Sequence, residues 1–93
     1  EIKKRKGYDN KGNIILIFEN NGKGKEYYDN GKLQFEGEYI NGRRYSGKGY
    51  NYNGKEVFII KEGKGHAKEY YFYGKLKWEG QYLNRKRNGK GKE

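Results

Sequence analysis

KEYYDNGKLQFEGEYINGR, Lys25 to Arg43, returns 43 residues later as KEYYFYGKLKWEGQYLNRK, Lys68 to Lys86, with 11 of the 19 positions identical. The flanking stretches also match each other. GYDNKGNIILIFENNGKG (Gly7 to Gly24) aligns with GYNYNGKEVFIIKEGKG (Gly49 to Gly65). The glycines keep step: Gly12 with Gly54, Gly31 with Gly74, Gly37 with Gly80, Gly47 with Gly89. The chain therefore reads as one repeat domain over 1–93, with two units of about 42 residues, roughly 7–48 and 49–91. Each unit has a shorter and a longer half, and each half ends in GKG. Such duplication implies a linear stack in which each unit covers the next.

Helix is excluded by the glycines, each of which costs about 1 kcal/mol in a helix interior. Between them the residues alternate. Leu33, Phe35, Gly37 and Tyr39 fall on one face of an extended segment, with Gln34, Glu36 and Glu38 on the other. Leu76, Trp78, Gly80 and Tyr82 repeat this opposite Lys77, Glu79 and Gln81. A period of two with one polar face is a half-buried strand. Asn30-Gly31, Asn41-Gly42 and Asn53-Gly54 are hairpin turns, because both residue types tolerate positive φ. Strands are expected near Arg5–Tyr8, Asn13–Glu19, Lys23–Tyr28, Lys32–Tyr39, Arg43–Asn51, Lys55–Lys61, Lys64–Tyr71, Lys75–Leu83 and Gly89–Lys92. Short connections make neighbours antiparallel. The predicted fold is all-β and without helix: an elongated antiparallel meander of repeated β-hairpins in one curved single sheet.

Ile14 to Phe18 and Val57 to Ile60 break the alternation, being apolar at every position. Either Tyr rings and Lys stems shield their outer face, or they form a contact surface for a partner or a second copy.

Composition bounds the function. The chain has 93 residues, 31% hydrophobic, and a mean hydropathy of -1.45. That rules out a large aliphatic core. Aromatics at 17%, with 11 Tyr, argue against a disordered chain. Without Cys there is neither a disulfide framework nor a thiolate metal site. No apolar run is long enough to cross a membrane as a helix, and no signal peptide is apparent. A start at Glu1 without Met and a stop inside a repeated motif suggest a piece of a longer protein.

The formal charge is +10. The densest basic cluster is Lys3, Lys4, Arg5 and Lys6, followed by Arg43-Arg44 and Arg85-Lys86-Arg87; these nine are the candidate anion-binding residues. The alternative is a Lys-rich solvated surface of compositional origin.

At FEGEYINGRRYSGKG (Phe35 to Gly49) and WEGQYLNRKRNGKG (Trp78 to Gly91) the chain resembles the MORN repeat: aromatic-x-Gly-x-aromatic, a Gly turn, then Gly-x-Gly. Trp78, Gly80, Tyr82, Gly89 and Gly91 stand at the family spacing, with Arg85 where a turn Gly is usual. Phe35, Gly37, Tyr39 and Gly42 match in the earlier copy, with one extra residue near Ser46. The shorter halves match only at their GKG ends. The resemblance implies an array of hairpins whose aromatic groove receives a partner segment. It also implies association with acidic phospholipids and membrane-apposed scaffolds. Gly37 is expected to leave a gap into which rings of adjacent strands pack.

Catalytic patterns are poor. Ser46, His66 and Asp9 or Asp29 lie in different strands without a nucleophile elbow. Glu36 and Glu38 sit one pleat apart among lysines, as in cross-strand ion pairs. GKG stretches lack the Ser or Thr and the helix of a P-loop. No cofactor and no metal are expected, and the chain is expected not to be an enzyme. Tyr27, Tyr28, Tyr70 and Tyr71 beside Lys25 and Lys68 could stack nucleic-acid bases, yet cross-strand packing accounts for them better. Nucleic acid is therefore not the expected partner. The expected function is a non-enzymatic module for protein–protein interaction, self-association or scaffolding through a face formed by Phe35, Tyr39, Trp78 and Tyr82. The alternatives are a peripheral membrane module holding acidic phospholipid on its Lys-rich face, or a passive spacer. The expected location is the cytoplasm, against a membrane in the second case.

Overall fold

The computed structural model describes residues 3–83 and 86–87. Eight strands of five to eight residues and a short ninth follow one another: β1 (Lys4–Tyr8), β2 (Ile14–Glu19), β3 (Lys23–Tyr27), β4 (Leu33–Ile40), β5 (Arg43–Tyr50), β6 (Glu56–Ile60), β7 (Gly65–Tyr70), β8 (Leu76–Leu83) and β9 (Lys86–Arg87). Every pair is antiparallel between sequence neighbours, and no helix occurs among the described residues. The all-β meander of hairpins is thus what the chain forms. The strand expected at Gly89–Lys92 lies outside the described residues.

The expected single sheet is divided. β1 to β6 form one sheet and β7 to β9 another, joined by a lone bridge between Lys61 and Lys64. Glu62 and Gly63 turn there with φ of 51° and 78°, and Gly65 follows at 148°. A Cβ on Gly65 would stand 2.7 Å from the Ile59 carbonyl oxygen. That backbone shape departs from a regular ladder and lets β7–β8 swing away. The second hairpin still folds back: the Asp29 N–H donates to the Phe72 carbonyl at 2.9 Å, and Gln34 Nε2 to the Tyr70 carbonyl at 3.0 Å. The body measures 37 × 28 × 21 Å. No helix among the described residues is long and apolar enough to cross a membrane.

The repeating unit is one hairpin, half the length of the sequence unit. At Asp9, Tyr28, Asn51 and Tyr71 the N–H donates to the carbonyl four residues on, and the glycine three residues on donates back. Those glycines, Gly12, Gly31, Gly54 and Gly74, all lie at φ between 83° and 97°. Asn30 and Asn53 have no positive φ; among the described residues both turn residues are left-handed at Asn41-Gly42 and Glu62-Gly63. A bulge in the ladder precedes each of the four turns, at Gly7/Tyr8, Glu26/Tyr27, Gly49/Tyr50 and Glu69/Tyr70, and adds twist. Hairpins of two kinds alternate, which is why the sequence repeats only every second one. The boundary at 48/49 between the two sequence units falls inside β5.

One core spans both sheets: Phe35, Tyr39, Phe58 and Ile60 from the first, Ala67, Trp78 and Tyr82 from the second. It is largely aromatic, with Phe35 edge-on to Tyr39 at 5.7 Å and stacked on Phe58 at 6.2 Å. Glycines make room for it. A Cβ on Gly49 would collide with the Phe58 ring, 2.6 Å from Cδ1. Gly37 behaves otherwise than expected. Its missing Cβ is replaced by backbone, since Gly47 Cα would lie 2.6 Å away and the Ser46 carbonyl closer still. Two strands approach there, backbone against backbone.

The apolar strands are shielded unevenly. Ile17 is half-buried in register between Lys6 and Lys25, whose stems can cover it. Ile59, beside Lys48 in register, stays 47% exposed.

Candidate functional site

The four residues proposed from the sequence as a partner-binding face are core. Phe35 and Trp78 are 0% and 3% exposed, and Tyr39 and Tyr82 are buried beside them. The alternation does place them on one side, but that side is filled by the chain's own rings, and of the four Tyr39, itself buried, borders a groove beside Lys3 and Arg5. This corrects their assignment.

The basic candidates separate into distinct groups. Arg44 turns inward, where its Nε and a terminal nitrogen hold the two Glu26 carboxylate oxygens at 2.9 and 2.8 Å. The Tyr39 hydroxyl donates to the same carboxylate at 2.8 Å, and the guanidinium lies 4.6 Å from the Phe35 ring centroid. The arrangement recurs 43 residues on. Arg87 holds Glu69 Oε1 through Nε at 3.0 Å and a terminal nitrogen at 2.6 Å, Tyr82 donates to Glu69 Oε2, and Arg87 sits 5.0 Å from the Trp78 ring. Both arginines are committed to internal carboxylates, which corrects their reading as anion-binding groups. Lys4 pairs with Glu19 at 3.8 Å. Lys3, Arg5, Lys6 and Arg43 are exposed. Lys86 lies opposite Leu83 in β9, and Arg85 lies outside the described residues.

Burial would raise the Glu26 carboxyl, but the charge and hydrogen bonds of Arg44 outweigh it and hold the group below its ordinary 4.5. Glu69 is lowered in the same way, burial being outweighed by hydrogen bonds from Arg87 and Tyr82. The Tyr39 and Tyr82 hydroxyls are pushed well up, by burial first and then by the neighbouring carboxylate. These clasps are closed, satisfied structures.

The residues weighed for catalysis are engaged separately. Ser46 Oγ accepts the Glu62 N–H at 2.9 Å, and His66 Nε2 meets Glu79 at 2.9 Å. Asp9 caps its own turn, and Asp29 accepts from the Tyr52 hydroxyl. Glu36 pairs with Lys25 at 3.5 Å. Among the described residues no group of three or more His, Cys, Asp or Glu gathers as metal ligands would. Of the tyrosines considered for base stacking, Tyr28 is buried, donates to the Tyr50 carbonyl at 2.6 Å and meets the Tyr70 ring at 6.2 Å.

The most unusual exposed feature is the fourth turn. Its three sisters carry turn-forming side chains: Asp9 Oδ1 and Asn51 Oδ1 each accept two backbone N–H groups, and Asn30 Oδ1 accepts the Lys32 N–H. The fourth has Tyr71, Phe72 and Tyr73, exposed by 39%, 56% and 49%, with Leu76 exposed beside them. The Tyr71 and Tyr73 rings stack at 5.3 Å, Phe72 stands perpendicular to Tyr73, and Lys77 Nζ lies 5.6 Å from the Tyr71 ring. Sequence reasoning missed both this cluster and the carboxylates of the clasps. The signal for the clasps was the identity of Glu26/Glu69, Tyr39/Tyr82 and Arg44/Arg87 at one common offset. The signal for the turn was the replacement of Asp29-Asn30 by Phe72-Tyr73 within an otherwise matching repeat.

No family model matches this chain, and neither a curated protein nor a solved structure matches it.

Proposed function

We propose that the chain is a non-enzymatic, MORN-like repeat module that mediates protein–protein contact in a scaffold, and that the contact is made by the aromatic turn Tyr71–Phe72–Tyr73. The observation that carries this reading is the exposure of three consecutive rings where three equivalent turns hold Asp or Asn. A few side chains supply most of the binding energy in protein interfaces, and Tyr is among the types enriched there. Local turn chemistry given up for rings that stay exposed marks a site kept for another reason. The turn is also tied to its neighbours, by the Asp29 N–H on the Phe72 carbonyl and by Tyr52, which packs where a Cβ on Gly74 would be. A preformed aromatic tip binds with little ordering cost.

The test compares proteins retained from a cell extract by the wild type and by a Tyr71→Asn, Phe72→Asp, Tyr73→Asn variant of unchanged circular dichroism. A partner held by the first and lost by the second supports the reading. Equal retention by both refutes it. Light scattering on both proteins shows whether that partner is a second copy.

A further inference from the structure

The sheet follows a charge rule across its strands. On the outer face Lys23 and Lys25 of β3 stand opposite Glu38 and Glu36 of β4, and Glu36 stands in turn opposite Lys48 of β5. Lys68 of β7 faces Glu79 of β8. On its β6 side, where it faces Ile59, Lys48 takes a second carboxylate on the diagonal, Glu56 at 3.7 Å. Opposite charges on facing positions stabilise a sheet, and like charges destabilise it.

Among the described residues β1 stands at the end of this sheet, with β2 as its neighbour and no strand on its other edge. Such an edge presents backbone N–H and C=O groups ready to pair. It also has four consecutive basic residues, Lys3 to Lys6, all exposed. β2 answers only one of them, Glu19 opposite Lys4; Arg5 faces Phe18, and Lys6 faces Ile17. Among the described residues no carboxylate pairs with Lys3, Arg5 or Lys6. Lys4 and Lys6 lie on the outer face. Lys3 and Arg5 rim a groove of about 510 Å³ on the other, floored by Phe18 and Tyr39. Both faces of the open edge are therefore basic. A second copy of β1 would set like charges against like, so this edge is closed to itself.

We infer that the open edge of β1 receives an extended, acidic segment of a partner protein, added to the sheet as one more strand. Its backbone would pair with β1, and alternate acidic side chains would reach Arg5 on the groove side and Lys4 and Lys6 on the other. The clasps show how this fold holds a carboxylate beside rings, with an arginine across an aromatic face. This inference rests on reading the chain as a protein-interaction module and assigns that module a second contact.

The test pans a display library of randomised ten-residue peptides on the full chain. The best peptide is then measured by fluorescence anisotropy against the wild type, Arg5→Glu, a Lys3→Glu, Lys6→Glu variant and Phe72→Ser. A version of the peptide with the same charge but with proline at alternate positions is measured beside it. Enriched peptides should have Asp or Glu at alternate positions and no proline. Both β1 variants and the proline version should bind at least about tenfold more weakly, with Phe72→Ser unchanged. Enrichment of non-acidic peptides, or of none, overturns the proposal. Equal binding of the proline version reduces the edge to unspecific charge and overturns it as well. Loss confined to Phe72→Ser overturns the β1 site and leaves the aromatic-turn reading standing. Sedimentation with phosphatidylserine vesicles that is abolished by Arg5→Glu, without peptide selection, assigns the basic strand to lipid instead.

Discussion

The Glu26 carboxylate and the Arg44 guanidinium meet at 2.8 Å although β3 and β5, which carry them, are not neighbours in the sheet. Arg44 reaches across β4, past the Phe35 ring, and Tyr39 of the crossed strand adds its hydroxyl. Three successive strands are thereby tied at one point. Truncating Arg44 leaves a half-buried carboxylate without its charge partner. Arg44→Ala should cost about 3 kcal/mol in urea denaturation. Arg87→Ala, whose side chain is 33% exposed against 10% for Arg44, should cost about 1.5 kcal/mol. Equal costs would show that burial does not set the strength of the clasps.

Acid should open both clasps. Glu26 and Glu69 have folded pKa values below the ordinary 4.5, so their contribution is complete above that value and is lost as pH falls through the folded ones. Thermal midpoints should therefore hold from neutral pH to about 5 and decline below it. In a Glu26→Gln, Glu69→Gln variant that decline should be shallower, and the midpoint at pH 7 lower. A parallel decline in both proteins would place the acid sensitivity elsewhere.

Glycines at close approaches and glycines in open turns should respond differently. Gly37→Ala forces a methyl into the backbone of Ser46 and Gly47, and should cost more than about 3 kcal/mol or prevent folding. At Gly12 nothing lies within 4 Å of the added Cβ, and only the φ of 86° opposes it. Gly12→Ala should cost about 1 kcal/mol. Urea midpoints of the two variants measure the contrast.

The aromatic turn should be less stable than its sisters. Tyr71→Asn puts an Asx residue where Asp9 and Asn51 accept backbone N–H groups. It should leave the free energy of unfolding unchanged or raise it, by up to about 1 kcal/mol in urea denaturation, while weakening partner retention. A clear loss of stability would make the Tyr71–Tyr73 stack a packing feature.

The architecture follows from local rules. Phe35 and Tyr39, and Trp78 and Tyr82, each ring two residues from the glycine between them, require extended segments, and Gly31 or Gly74 before them requires a turn. What alternation cannot say is whether the face it defines is covered. Phe35 is buried by Phe58 and Tyr39, and Phe58 lies in a strand with a different pattern. A groove and a core therefore look alike in the spacing. The clasps are hidden for a related reason. Glu26 and Arg44 are 18 residues apart with a strand between them, so no period joins them. Gly65 is one glycine among 16, and nothing in its sequence setting shows that the ladder breaks beside it.

Each strand packs chiefly on the strands just before and after it. A chain leaving the ribosome can close β1 on β2 before β3 has been made, and each later hairpin docks on a finished platform. Every strand ladder joins neighbours in sequence, which favours quick folding for an all-β protein. The same connectivity makes the gene tolerant of slippage. An in-frame gain or loss of one hairpin pair lengthens or shortens the ribbon and leaves its interior joints intact.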